Sequence, residues 1–431
     1  MMRPAPNDEP FASPILTIYL ARLLRQDHVS AGETSLVHSR ITTMHSHAPV
    51  LSADPLRRCG ERSAGYDRDN HFFDEDFAEL KDAGYLTLAV PKELGGPGLT
   101  LSQVCAEQRR LAYHAPATAL AINMHNYWIG TASSLWRNGD TSLEWLLKEA
   151  LAGEVFNGSH SERGSEGVRT STSKAARVEG GFRITGHKLF NSLSPVTTRF
   201  GGHATWAGAE GGPKIVHFFM PRETAGWRIV KTWDTLGMRA TSSDDLMLED
   251  AFIPDCYVGR ILPVGGGDLF LLSIYAWCLL GFAFIYHGIA QRAIDLVLPS
   301  IKKKTSLSLT RSMAYHPEIQ HLVADMILAF DPIGPHIEKI ADDWTASVPH
   351  GAAWPAKILS AKYHAVEACW KTADMAMELS GGGGMFKGNE LERLFRDARC
   401  GRFHPANSFV THEVVAKAAL RIDATEQPRW G

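Results

Sequence analysis

The sequence predicts an α+β fold in three blocks, helices, then strands, then helices. Three observations carry this. Apolar residues recur at helical spacing from about residue 50 to 155. They alternate with polar residues from about 156 to 262, and helical spacing returns from about 266 to 421. The elements follow in that order.

In the first block Phe73, Phe77 and Leu80 fall on one helical face, and Gly84 stops that helix. The stretch 90–98 holds two prolines and three glycines and reads as a loop. Thr100 with Gln103 forms a capping box that opens the next helix. In the second block Phe182 and Ile184 alternate with Arg183 and Thr185 after a Glu179-Gly180-Gly181 turn. Residues 215–220 and 246–248 read as further strands of a small antiparallel barrel or sandwich. On alternation alone, Phe190 is an inward residue of a half-buried strand. In the third block Ile289, Ala293 and Val297 mark one helix, Ile319, Leu322, Val323 and Met326 another, and Val366, Cys369, Trp370 and Ala373 a third.

Composition narrows the function classes. A net charge of −3 offers no basic field for nucleic acid. The six cysteines show no CxxC pair and no metal-ligand spacing, so reduced thiols in a cytoplasmic protein are expected. No metal is expected. The apolar run 269–285 contains Ser273, Tyr275 and Trp277 and reads as a buried core helix, not a membrane span. Residues 14–20 are apolar and end in arginines, the reverse of a secretory signal. Residues 1–48 are therefore expected to be a disordered extension or an upstream start, with Met44 as the alternative start.

Four segments, in order, resemble the acyl-CoA dehydrogenase superfamily of flavoproteins. They are the 90–98 loop; residues 156–165 with 186–192; Trp233-Asp234-Thr235-Leu236-Gly237-Met238-Arg239-Ala240-Thr241; and Gly381-Gly382-Gly383-Gly384 followed by the basic segment to Arg399. The resemblance spans roughly residues 50–421. It implies an N-terminal helical domain (49–155), a middle β-barrel (156–262) and a C-terminal four-helix domain (263–431). It also implies a homo-oligomer, a dimer or tetramer, joined through the C-terminal helices. The implied cofactor is FAD, with FMN the alternative.

By the same resemblance Gly158, Ser159 and His160 meet the flavin's pyrimidine edge, Ser192 its N5 edge, and Phe190 one ring face. Lys303 and the loop of Gly381, Gly382 and Gly383 meet the dinucleotide tail. Lys303 stands where relatives often have arginine, and Glu378 where they have glutamine, which weighs toward FMN. Ser165 and Arg239 match substrate-side positions, with turn chemistry and a brace between barrel and helices as their plainer readings.

Relatives that desaturate acyl thioesters carry a glutamate base at one of two places. Here those places are occupied by Pro405, beside His404, and by Cys278. Neither is a carboxylate. The segment Arg396-Asp397-Ala398-Arg399 leading to Phe403-His404 resembles a flavin-monooxygenase branch of the superfamily, in which a histidine at that place supports the oxygen chemistry. His125 matches a second histidine of that branch. Three functions follow as expectations. One is dehydrogenation of an acyl thioester, on CoA or a carrier protein, with His404 as a non-standard base and an electron-transfer flavoprotein as acceptor. The second is a two-component monooxygenase fed by a flavin reductase and acting on a small molecule. The third is a flavin-free binding descendant of the fold.

Overall fold

The computed structural model describes residues 47–165, 167–423 and 426. The apolar stretch 14–20 and Met44 lie outside the described residues.

The first helical domain comprises α1 (Ala53–Asp69), α2 (Asp74–Asp82), α3 (Leu101–His114), α4 (Pro116–Arg137) and α5 (Glu144–Leu151). The Thr100–Gln103 capping box opens α3, with side chain and backbone bonded reciprocally. Gly84 follows α2 in the left-handed region (φ 72°), where a Cβ is disfavoured. The 90–98 stretch holds one short helical turn, Lys92–Leu94, between its prolines and glycines.

The middle region is one sheet: β1 (Phe156–Ser159), β2 (Lys174–Val178), β3 (Gly181–Lys188), β4 (Arg199–Trp206), β5 (Lys214–Pro221), β6 (Trp227–Val230), β7 (Asp245–Pro254) and β8 (Val258–Pro263). Its order is β6-β7-β3-β2-β4-β5-β8, with β1 on β4. The pairing is not wholly antiparallel as expected: β4 pairs parallel with both β1 and β2. Phe182, Ile184, Phe200, Val216, Phe218, Leu246 and Ile253 form its core, as period-two alternation dictates.

The second helical region contains α6 (Leu269–Lys303), α7 (Pro317–Phe330), α8 (Ile333–Thr345), α9 (Trp354–Ser380), α10 (Glu390–Cys400) and α11 (Ser408–Leu420). The apolar runs around 269–285 and 289–297 are one helix of 35 residues. By length and composition α6 is apolar enough to cross a membrane, but 83% of the relevant window is buried inside the protein. It packs on α9, α3 and α4. A Cβ on Gly130 of α4 would lie 2.0 Å from the Trp277 ring of α6. Glycine therefore lets the two helices close, and a methyl there would overpack the junction at a cost of about 1–3 kcal/mol.

The 233–241 loop ties these layers together. The Met238 N–H donates to Asp397 Oδ1 of α10 at 2.6 Å. Arg396 donates to Asp67 of α1 at 2.6 Å and to Leu236 O at 2.9 Å. Charge-assisted bonds of this kind hold α1, the loop and α10 in one register.

Candidate functional site

On α6, Cys278, Phe282 and Tyr286 recur every four residues and so lie along one helical face. The turn Gly401–Phe403 after α10 brings His404 onto that face. The His404 ring stacks on Phe282 (4.8 Å, 21°), and its Nε2 lies 2.6 Å from the Tyr286 hydroxyl. Gly401 permits the approach, because a Cβ there would sit 2.8 Å from the Tyr286 ring.

Buried Lys362 of α9 faces the same turn. Its Nζ donates to the carbonyls of Ala406 (3.2 Å), Gly401 (3.4 Å) and His404 (3.5 Å). Burial lowers the Lys362 pKa to about 8. Burial, and then the Lys362 charge, lower that of His404 to about 3. His404 is thus neutral at physiological pH.

The network also assigns its tautomer. Tyr286 is fully buried, and its hydroxyl has no other partner among the described residues. That hydroxyl therefore donates to Nε2, since otherwise a buried O–H would go unsatisfied. The imidazole proton then sits on Nδ1. That atom has no partner among the described residues, and the partly exposed ring leaves it reachable. His404 thus offers a neutral ring with an N–H donor at Nδ1.

His125 is different. It is fully enclosed in α4, its Nδ1 accepts the Phe156 N–H at 3.0 Å, and its Nε2 donates to Leu86 O at 2.7 Å. Burial lowers its pKa to about 4. Both nitrogens are consumed in joining α4 to β1, so the expected catalytic role is corrected to a structural one.

The expected flavin positions divide likewise. Phe190 is not an inward strand residue. It follows β3 with φ 55°, is 50% exposed, and stands edge-on to Trp233 at 6.1 Å. A bulky residue held at positive φ with its ring outward is a costly arrangement. The Ser159 hydroxyl points inward, donating to Asn191 and to Asn157 at 3.3 Å. Ser192 bonds Ser243 at 2.6 Å, and Ser243 bonds Thr241 at 2.6 Å. Thr241 in turn donates to Met238 O at 2.9 Å. Gly158 is pressed on Tyr127, whose hydroxyl would lie 2.2 Å from an added Cβ. His160 sits among Trp128, His203 and His217, 3.3 Å from the Tyr127 hydroxyl, and burial lowers its pKa to about 3.

At the glycine loop the neighbour of the expected lysine makes the contact. Lys304, not Lys303, reaches it, donating to Ser380 O at 2.9 Å. Lys303 ends α6, exposed. Gly381 takes φ 64°, while Gly382 and Gly383 face open space.

The two substrate-side residues take their plainer readings. Ser165 Oγ donates to Thr170 O at 2.8 Å within its own turn. Arg239 donates to Asp67 O (2.8 Å), Asp234 and Thr235 O (3.0 Å each), bracing the 233–241 loop on α1. These bonds match the turn and brace readings of the two residues.

Sequence reading missed Tyr286 and Lys362. Lys362 had a visible signal, a cation on the helical face of Ile358, Leu359, Ala365 and Val366. It also missed the buried Lys188–Glu162 pair, where Lys188 also donates to His203 O. Glu162 further accepts from Ser171 and Thr172, so this charge pair fixes the 161–173 segment against β4.

Comparison with known proteins supplies the lineage. Residues 56–147 match the acyl-CoA dehydrogenase N-terminal domain and 280–409 its C-terminal domain, together just over half of the chain. The chain is 28% identical over 366 residues to a putative acyl-CoA dehydrogenase, YdbM, of Bacillus subtilis (83% of this chain, 93% of that protein). It is 26% identical over 380 residues to the amino sugar nitrososynthase RubN8 of Streptomyces rubradiris (84% and 85%). Among solved structures, KijD3 in complex with FMN and a dTDP-linked amino keto sugar superposes with a TM-score of 0.77 at 25% identity (87% of this chain, 93% of that one). With both helical domains of one family flanking the sheet, the chain belongs to the acyl-CoA dehydrogenase family of flavoprotein oxidoreductases.

Proposed function

We propose that this protein is a reduced-flavin-dependent monooxygenase acting on a small polar molecule, fed by a separate flavin reductase. The carrying observation is His404, whose Nε2 is engaged by the Tyr286 hydroxyl at 2.6 Å, leaving a neutral ring with its N–H outward. A donor of that kind stabilises negative charge on an incoming oxygen atom. A lowered imidazole pKa makes His404 a weaker base and favours the donor role over α-proton abstraction.

The residues present fit a flavin. Phe190 offers an exposed ring at a strained backbone position. Gly382 and Gly383 leave room for a phosphate beside Lys304. Reduced flavin, when bound, supplies the two electrons with which O2 is divided between substrate and water. Phe190 would cover one ring face, Lys304 and the glycine loop would hold the phosphate tail, and Ser192 would stand beside the ring. His404 would hold its proton toward the site, and Phe282 would keep the imidazole plane fixed. The names of the nitrososynthase relatives make an amino sugar the first substrate class to assay.

A second reading is α,β-dehydrogenation of an acyl thioester, with an electron-transfer flavoprotein as acceptor. The 28% identity to a putative acyl-CoA dehydrogenase favours it. Supplying enzyme, reductase and 18O2 to a panel of nucleotide-linked amino sugars separates the two. Label in the product supports oxygenation. Absence of oxygen uptake above the reductase alone, with every member, excludes it.

A further inference from the structure

Lys362 is a buried cation without an acidic partner. It is 2% exposed and forms no ion pair among the described residues. An ammonium taken out of water costs several kcal/mol unless it is compensated. Here the compensation is three carbonyl oxygens, of Gly401, His404 and Ala406. All three belong to the turn that carries His404. Glu367, the nearest acidic side chain on the same helix, is engaged by Arg402 of that turn at 2.7 Å. Lys362 thus grips the turn from below, while Arg402 and Glu367 latch it outside.

We infer that Lys362 is a positioning residue, fixing the 401–406 turn so that His404 meets Tyr286 and setting its ammonium beneath the imidazole. The inference rests on His404 as the donor in the proposed reaction. The groups facing His404 are few. Tyr286 and Cys278 come from α6, Lys362 and Glu367 from α9, and Arg402 from the turn itself. Burial holds the Cys278 thiol protonated, with its pKa raised to about 12, so it brings no compensating charge. The Glu367 carboxylate is tied to Arg402. Lys362 is therefore the charge of the cluster that has no ion-pair partner among the described residues. A purely packing residue would leave the titration of His404 unaffected when changed to a side chain of similar length.

The test is the imidazole NMR titration of His404 in the full chain, its resonance assigned by its loss in His404→Gln. Followed in the folded chain down to about pH 2.5, wild type should give a His404 midpoint near pH 3. In Lys362→Met the midpoint should move up by about one pH unit. Lys362→Gln should do the same while keeping a donor to the carbonyls, and it decides the matter if the methionine variant fails to fold. Lys362→Arg should restore the wild-type curve. Unchanged His404 titration in folded Lys362→Met and Lys362→Gln would overturn the inference. Because the readout needs neither flavin nor substrate, its outcome is separate from that of the oxygenase assay.

Discussion

His125 and His404 are both neutral histidines, one enclosed and one partly exposed, and they use their nitrogens differently. His125 spends both nitrogens on main-chain groups, Phe156 N–H and Leu86 O. His404 spends one on Tyr286 and keeps the other open. The difference teaches that burial alone does not mark a functional imidazole. In the proposed reaction it is the uncommitted nitrogen, held in a set tautomer by its neighbour, that serves. Sequence spacing treats the two alike, because it counts neither the carbonyl of Leu86 nor the phenol of Tyr286.

The largest expected effect breaks this pair apart. His404→Ala should lower product formation by about 100-fold or more, with a smaller stability loss of about 1–3 kcal/mol from the Tyr286 hydroxyl it leaves unpaired. His125→Ala should destabilise the protein by about 2–5 kcal/mol, because it leaves a buried N–H and a buried carbonyl unpaired. Its remaining folded fraction should turn over normally. Melting curves and steady-state assays on both variants check this, and reversed outcomes would exchange the roles.

Tyr286→Phe sharpens the same comparison. Removing the hydroxyl frees Nε2, so the Nδ1–H tautomer is no longer enforced. Turnover should fall by about 10-fold, with more oxygen consumed without product. Equal coupling in wild type and variant would show that Tyr286 does not set the donor.

The third prediction is collective. His125 and His404 share their depressed pKa values, about 4 and about 3, with His160 at about 3 and with His203 and His217 further below the usual value. Each binds its proton more readily when unfolded. Their stabilisation is therefore complete above pH 6.5 and is lost as pH falls toward 4. The loss is about 1.4 kcal/mol per pH unit for each site that titrates only on unfolding. Asp76 and Asp397, raised to about 6 by burial, act the other way between pH 6 and 4, and they are fewer. Urea titrations at pH 7, 6 and 5 should show stability falling steadily. A flat profile would mean that these imidazoles are not buried neutral.

The smallest effect is at the flavin wall. Phe190→Ala should weaken flavin binding by about 10-fold while sparing stability, since half of that ring is already exposed. An inward core phenylalanine would instead cost several kcal/mol on truncation.

Much of the fold was legible because its signals are local. The capping box at Thr100, the stop at Gly84 and the alternation of Phe182 with Ile184 all act within a few residues. Of the proposed site, the sequence pointed to the glycine loop and His404 but not to their neighbours. Phe190 misled because alternation assumes the strand continues, whereas β3 ends at Lys188 and the chain turns at positive φ. Which lysine reaches Ser380 is set where α6 ends, and there Lys304 makes the contact. The Tyr286–His404 and Lys362–Ala406 contacts join residues 118 and 44 positions apart, which no spacing rule reaches.

The most direct test of His404 as donor rather than base is an anaerobic titration of the flavin-loaded protein with a panel of acyl-CoAs, following the flavin absorbance. No member should bleach the flavin, while reduction by a partner reductase followed by oxygen should return the oxidised spectrum with oxygenated product. Bleaching by any acyl-CoA would mean that a base removes the α-proton here, and it would contradict the account.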